Sequence, residues 1–137
     1  MIRPAALALT AAAALAACAP TDTGTTATHQ GGIPLGPYYI VGLGRDAMPN
    51  RNATLNLAPG QISGSGPCNN FTATNAATLP AIQITSFSST EVACPNSAME
   101  SRYFNAINQA TSAEYSGGVL ILKGPTWLTF EAGTRAQ

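Results

Sequence analysis

Apolar and polar residues alternate along short stretches of the chain, which is the pattern of β-strands with one buried face. In the stretch 53–57, Leu55 and Leu57 fall on one face, and 81–85 repeats the pattern with Ile82 and Ile84. Runs of β-branched and aromatic residues between Gly and Pro predict further strands over 38–43, 61–64, 70–74, 113–115, 119–123 and 126–131.

A helical period follows these strands. One apolar stripe is formed by Met99, Tyr103, Ala106, Ile107 and Ala110. Ser97 and Glu100 have the spacing of a capping box, in which the two side chains bond to each other's backbone N–H groups. The spacing therefore predicts a helix that begins at Ser97, with Glu100 as a capping residue.

The predicted order is several strands, then one helix, then the last strands. This order predicts an α+β fold, either a curved antiparallel β-sheet or a small β-barrel packed by one α-helix. Phe71, Phe104, Ile107 and Trp127 are the candidates to fill the concave face. The run 119–122 does not alternate, so this strand is expected to be covered on both faces.

The N-terminal residues 1–17 have the form of an export signal. Arg3 precedes an apolar run over 5–17, which is shorter than the roughly 20 residues that span a bilayer. The run ends in Leu15-Ala16-Ala17-Cys18, which resembles the lipobox of bacterial lipoproteins, so Cys18 is the predicted lipidated N-terminus. The alternative is an ordinary signal peptide cut nearby, with Cys18 incidental. Ala19 after the cysteine resembles an outer-membrane sorting signal.

Residues 18–37 are polar and rich in Thr and Gly, without periodicity, and are predicted to form a flexible tether. The histidine of the chain, His29, lies in this tether, so no catalytic or metal-binding role is predicted for it. The folded domain is predicted over 38–131, and residues 132–137 are predicted to be a disordered tail.

Charged residues make up 9% of the chain and the formal net charge is zero, against about 25% charged residues in ordinary domains. Without clustered cations, a nucleic-acid partner is excluded. The carboxylates of Asp46, Glu91, Glu114 and Glu131 are scattered along the sequence and predicted to be solvated. No catalytic set, metal site or cofactor site is recognised, so the chain is not predicted to be an enzyme.

Cys68 and Cys94 are the cysteines that remain after Cys18. In an exported protein, two remaining cysteines predict a disulfide between them. The alternatives are a pair of buried free thiols, or a reactive Cys68, which needs a neighbouring base or cation. The turn before and at Cys68 is a candidate interaction loop, formed by Ser65, Gly66, Pro67 and Asn69.

Several short motifs together resemble the META domain, the HslJ-like family of bacterial envelope proteins. They are Ile62-Ser63-Gly64, Cys68-Asn69 with Phe71, Thr90 to Pro95, Glu100, Phe104 and Leu128-Thr129-Phe130. The chain departs from the family pattern at Pro67, Ala73 and Asn75, where glycine, glycine and tyrosine are usual. The resemblance implies an α+β envelope domain linked to stress or antibiotic tolerance.

The expected function is that of a lipoprotein held at the outer membrane and facing the periplasm. The membrane, through the N-terminal lipid, and an envelope protein or cell-wall partner are its expected contacts, in envelope integrity or stress. One alternative is a binding inhibitor of a foreign hydrolase such as lysozyme, which a rigid exposed loop at 65–67 would favour. The other alternative is a cysteine-dependent enzyme using Cys68.

Overall fold

The computed structural model describes residues 28–133, in which short strands surround one helix. The strands are β1 (His29–Gln30), β2 (Ile33–Pro34), β3 (Gly36–Leu43), β4 (Asp46–Ala47), β5 (Thr54–Ala58), β6 (Gln61–Ser65), β7 (Asn70–Asn75), β8 (Ile84–Ser89), β9 (Ser112–Ser116), β10 (Val119–Lys123) and β11 (Leu128–Ala132). The helix is α1 (Ser97–Asn108).

The main sheet is antiparallel throughout, with the strand order β8-β7-β6-β5-β3-β11-β10-β9, and β4 pairs with β3. The sheet is curled, so the segment before β8 reaches the start of β9 at the bridge between Ala81 and Ser112. The N–H of Ile82 donates to the carbonyl of Thr111 at 2.9 Å. The result is a half-barrel, which confirms the predicted α+β class.

The core lies on the concave face of the sheet, where alternate strand residues point inward. Leu57 pairs with Ile62, and Ile62 pairs with Ala73, so three neighbouring strands place apolar side chains side by side. Buried residues of the strands on the other side complete this layer, namely Tyr38, Ile40, Leu43, Leu120, Leu122, Leu128 and Phe130.

The helix closes the concave face with the middle of the predicted stripe, whereas Met99 is half-buried and Ala110 lies beyond the last helical residue, Asn108. Tyr103 and Ile107 are fully buried, and the Tyr103 hydroxyl donates to the carbonyl of Thr54 at 2.7 Å. Burial raises the pKa of Tyr103. Phe71 packs edge-on against Tyr103 at 5.8 Å between ring centroids and at 5.2 Å from Phe104. The helix is therefore fixed to the sheet mainly by aromatic packing.

The predicted capping box is absent. The helix begins at Ser97 with Asn96 as its N-cap residue, and no side-chain hydrogen bond caps it. Since Ser97 is already helical, its side chain is not at the cap position that the motif requires. Glu100 is instead buried, with 5% of its surface exposed. It is therefore available for contacts with other elements.

The predicted tether was wrong over its last ten residues. Residues 28–37 are ordered: His29–Gln30 pairs with Ile33–Pro34, and Ile33 is 2% exposed. The Thr and Gly content of this segment predicted disorder, but the segment contains one buried apolar residue and a tight turn at Gly31, which is at φ +58°. His29 itself is exposed. The remainder of the predicted tether lies outside the described residues.

Three further predictions need correction. The strand predicted over 81–85 is displaced to Ile84–Ser89, because Ile82 is buried against the start of β9 rather than in the β7 ladder. Val119 and Ile121 are only half-buried, so β10 is not covered on both faces. Ala132, predicted to begin a disordered tail, is the last residue of β11.

Among residues 28–133, no helix has the length and apolar character needed to cross a membrane.

Candidate functional site

Glu100 connects the helix to the loop between β6 and β7. Its Oε2 accepts hydrogen bonds from the backbone N–H of Cys68 at 2.7 Å and from that of Asn69 at 2.8 Å. Its Oε1 accepts a hydrogen bond from the side-chain amide of Asn69. Both carboxylate oxygens are thus occupied by protein donors, which is how a buried charge is made tolerable.

Asn69 joins the same loop to the segment that follows β8. Its Oδ1 accepts hydrogen bonds from the Val92 N–H at 2.6 Å and from the Thr90 hydroxyl at 2.9 Å. Its Nδ2 donates to the Val92 carbonyl at 2.9 Å as well as to Glu100. Asn69 is 7% exposed. Its amide is therefore satisfied entirely within the protein.

A disulfide between Cys68 and Cys94 links the two segments covalently. The Cα atoms are 6.1 Å apart, within the usual range for a disulfide. The structure thus confirms the predicted pairing over the free-thiol alternative. The hydrogen bonds of Asn69 and the disulfide join the same two segments, the loop before β7 and the segment after β8. We call this unit, together with Glu100, the clasp; its residues are Cys68, Asn69, Thr90, Val92, Cys94 and Glu100.

Gly66 is required by the clasp. A Cβ added at this position would lie 2.5 Å from Oε2 of Glu100. The Gly66 N–H donates to the Asn69 carbonyl at 2.8 Å and closes the turn that presents the two backbone donors. Only a residue without a side chain leaves room for the carboxylate under this turn.

The clasp holds Glu100 in its ionised form. Burial by itself raises the pKa of this carboxyl, but the hydrogen bonds from the Asn69 amide and from the N–H groups of Cys68 and Asn69 outweigh it. The net effect is a pKa below the ordinary glutamate value. At neutral pH Glu100 therefore carries no proton to donate, and its lone pairs are directed at protein donors.

The candidate interaction loop is built differently from the prediction. Ser65, Gly66 and Pro67 are half-buried, and Asn69 is buried with its amide engaged in the clasp. The assignment of Asn69 as an interaction residue was wrong, because its polar groups are turned toward Glu100 and Val92. Cys18, the predicted lipidation site, lies outside the described residues.

Sequence reasoning missed the role of Glu100, although one signal pointed to it. Glu100 lies three residues before Tyr103 and seven before Ile107, which places it on the buried face of the helix. A carboxylate on that face requires partners, and Asn69 and Cys68 supply them. The capping-box spacing gave a simpler explanation and concealed this requirement.

The carboxylates of Asp46, Glu114 and Glu131 are exposed to solvent, as predicted, and each also pairs with a cation. Glu131 accepts hydrogen bonds from the Tyr39 hydroxyl at 2.7 Å and from Arg51 at 3.2 Å, and the Arg51 guanidinium lies 4.4 Å from the Tyr39 ring centroid. The hydrogen bond to Glu131 raises the pKa of Tyr39. Asp46 pairs with Arg102 at 2.8 Å, and Glu114 pairs with Lys123. The pairs of Glu131 and Asp46 join distant parts of the sequence, so spacing did not reveal them, whereas Glu114 and Lys123 lie on the paired strands β9 and β10.

In the described part of the chain, no three His, Cys, Asp or Glu side chains are grouped closely enough to hold a metal ion. The clasp itself lines a depression of about 310 Å³, whose lining includes Asn69, Thr90, Val92, Glu100 and Phe104.

Comparisons with known proteins match most of the folded domain. The family model for the META domain matches residues 33–134. Among solved structures, a DUF4847 family protein from Bacteroides vulgatus superposes with a TM-score of 0.55 at 14% identity, over 74% of this chain and 94% of that one. A protein from Burkholderia xenovorans gives a TM-score of 0.57 at 20% identity, over 73% and 83%. At these identities the likeness shows the fold alone. No curated protein matches the chain significantly.

Proposed function

The chain belongs to the META-domain family, and from this premise we propose that it is a lipoprotein of the bacterial outer membrane that acts by binding an envelope partner rather than by catalysis. The leader and the lipobox at Leu15–Cys18 support the anchoring. The Cys68–Cys94 disulfide supports an oxidising compartment such as the periplasm.

The observation that carries the binding role is the closed state of the clasp. Three of the residues that resemble the family motif, Cys68, Asn69 and Glu100, use their polar atoms on one another. A catalytic acid or nucleophile needs an atom turned toward substrate, whereas these atoms hold two loops on a helix. The motif thus supports a rigid scaffold whose function lies on its surface.

The length of chain before the domain fits a position close to the membrane. Ten peptide steps separate Cys18 from Thr28, and even a fully extended chain of that length spans only roughly 35 Å. A domain on such a connection reaches partners in the membrane-facing layer of the envelope. Residues 28–37 were part of the predicted tether but belong to the folded domain, so they do not lengthen the connection.

The inhibitor alternative needs a loop that enters the cleft of an enzyme. The loop at 65–67 is rigid, because the clasp fixes it, but each of its residues is half-buried. A half-buried loop offers little side-chain surface for insertion, so we place partner binding before inhibition.

Metabolic palmitate labelling tests the proposed anchoring. Cells that express the full chain or its Cys18→Ser variant are labelled, and their membranes are separated by density. We expect label and outer-membrane sedimentation for the unchanged chain and neither for Cys18→Ser. Unlabelled protein in the soluble periplasmic fraction for both chains would refute the anchoring.

A further inference from the structure

The main sheet ends in two edge strands, β8 and β9, and the two edges are built differently. An edge strand leaves a row of backbone N–H and C=O groups open to pairing, so most proteins cover it or place charged residues on it. The β9 edge has both forms of protection. The segment before β8 covers its start, through the bridge between Ala81 and Ser112 and the bond from the Ala113 N–H to the Pro80 carbonyl at 2.8 Å. Glu114 then adds an exposed charge.

The β8 edge has neither form of protection. The stretch 84–89 contains no charged residue and no proline. Its Thr and Ser residues are all exposed. The register shift between β7 and β8 lies at Thr74 and Asn75, which pair with the start of β8. The stretch 86–89 is therefore a regular, uncharged and open edge.

The backbone of β8 directs alternate residues toward the open side. In an antiparallel ladder, hydrogen-bonded pairs alternate with non-hydrogen-bonded pairs. The Thr90 N–H donates to the Asn70 carbonyl at 3.0 Å, so the even-numbered residues of this stretch bond to β7. Phe87 and Ser89 lie between them and direct their N–H and C=O groups outward. In the part of the chain that the structure describes, no backbone hydrogen bond from outside the ladder reaches these groups.

The order of side chains along this edge is nearly the same in both directions. It reads Thr85-Ser86-Phe87-Ser88-Ser89, with hydroxyl residues at matching distances on either side of Phe87. Two such edges, paired antiparallel about a two-fold axis at Phe87, place hydroxyl opposite hydroxyl and Phe87 opposite its own copy. Hydroxyl and aromatic pairs are favourable across strands, and no like charges meet. Any extended chain can pair with an open edge, but a second copy makes use of this matching order.

Phe87 stands at the centre of this pairing and has free surface to contribute. Its ring stacks on Phe71 at 5.4 Å between ring centroids and lies 5.6 Å from Phe104. Phe87 is nevertheless only half-buried. Because its backbone groups point outward, a strand added at this point would cover more of the ring.

We infer that two copies of the chain associate through β8, in antiparallel register about Phe87, and join their sheets into one. Phe87 exchanges a pair of backbone hydrogen bonds with its own copy, and Ser86 lies opposite Ser88 of the second copy in a non-hydrogen-bonded pair. In such pairs the Cα atoms are about 4.5 Å apart, within the range that a disulfide spans. This association does not depend on the proposed anchoring at Cys18.

Engineered cysteines test the register. The full chain in a Cys18→Ser background carries either Ser86→Cys with Ser88→Cys or, as the control, Thr72→Cys with Thr74→Cys. The two threonines are the β7 partners of the two serines and are exposed on the same face, one strand further from the edge. After mild oxidation, we expect a covalent dimer of the first variant and a monomer of the control in non-reducing electrophoresis. Equal cross-linking of both variants, or none of either, would overturn the inference.

Sedimentation equilibrium in the same background measures the strength of the association. Ser88→Lys places a cation on the edge, close to its own copy across the two-fold axis, and Thr72→Lys places the same charge one strand further in. We expect a monomer–dimer equilibrium that Ser88→Lys weakens roughly tenfold and Thr72→Lys leaves unchanged, with native circular dichroism for both. A chain that stays monomeric up to millimolar concentration, or equal effects of the two lysines, would contradict the dimer.

Hydrogen exchange separates a second copy from other occupants of the edge. Protection of the Phe87 amide should rise with protein concentration, whereas the Ser88 amide, bonded to β7, should be protected at every concentration. A Phe87 amide that is protected independently of concentration would show that another segment of the same chain covers the edge, and would refute the dimer. A Phe87 amide that exchanges freely at every concentration would refute it as well.

Discussion

The backbone N–H of Cys68 donates a hydrogen bond to Glu100 at 2.7 Å, across 32 positions of the sequence. The same carboxylate receives the N–H and the side-chain amide of Asn69. One helix residue thus orders a loop that would otherwise leave two backbone donors without partners. The clasp therefore gives the geometry of this part of the fold a physical cause, and the predictions below follow from it.

Glu100→Ala is expected to lower the free energy of unfolding by about 3 kcal/mol, because it removes three hydrogen bonds and leaves the backbone N–H groups of Cys68 and Asn69 without an acceptor. Urea denaturation measures the change. Glu91→Ala is the control, since Glu91 is exposed and lies outside the clasp, and it should change stability by less than about 0.5 kcal/mol. Equal effects of the two substitutions would argue against the clasp.

Stability should depend on pH through Glu100. Its pKa is lower in the folded state than in the unfolded chain, so its contribution is complete above the unfolded value of about 4.3 and is lost as the pH falls through the lower folded value. Melting temperatures from neutral pH down to pH about 3 measure this loss. The difference between wild type and Glu100→Gln should shrink over that window, and a difference that stays constant would contradict the assignment.

Gly66→Ala should destabilise the domain by about 2 kcal/mol, because the new methyl group collides with the Glu100 carboxylate and displaces it from its donors. Gly42→Ala is the matched control: its Cβ would meet Thr129 at an ordinary 3.4 Å, and its effect should stay within about 1 kcal/mol. Thermal melts of both variants make the comparison. A Gly66→Ala protein as stable as Gly42→Ala would show that the turn has more room than the structure indicates.

Breaking the Cys68–Cys94 disulfide should lower the free energy of unfolding by about 3.5 kcal/mol. The bond closes a loop with a sequence separation of 26, and this closure restricts the unfolded chain. Urea denaturation with and without reductant measures this in a Cys18→Ser background, which removes the third cysteine. Cys68→Ser in that background should show no effect of reductant. An unchanged midpoint of the intact pair on reduction would contradict the predicted contribution.

Much of the fold was accessible from the sequence because burial alternates along its strands. The period-two pattern located β5, the short runs between turn residues located β6 and β7, each to within one residue, and the apolar stripe located the helix. The displaced strand β8 shows the limit of this signal: Ile82 is buried by the start of β9, a contact between edges of the sheet that local alternation does not encode.

The site was only partly accessible for a related reason. Cysteine count and export context predicted the disulfide correctly, since they depend on composition rather than on geometry. The partnership of Asn69 and Glu100 depends on how a helix crosses a distant loop, so the same residues suggested a capping box and an exposed loop. Trp127 was assigned to the core by its apolarity, although its connection between two strands lies at the rim of the sheet.

A double-mutant cycle between Asn69 and Glu100 tests most directly whether these residues form one structural unit. Free energies of unfolding are measured for wild type, Asn69→Ala, Glu100→Ala and the double variant. The structure predicts a coupling energy of at least about 1 kcal/mol, because each residue satisfies the other across the clasp. Effects that are additive within about 0.5 kcal/mol would contradict the clasp, because the two residues would then contribute to stability independently.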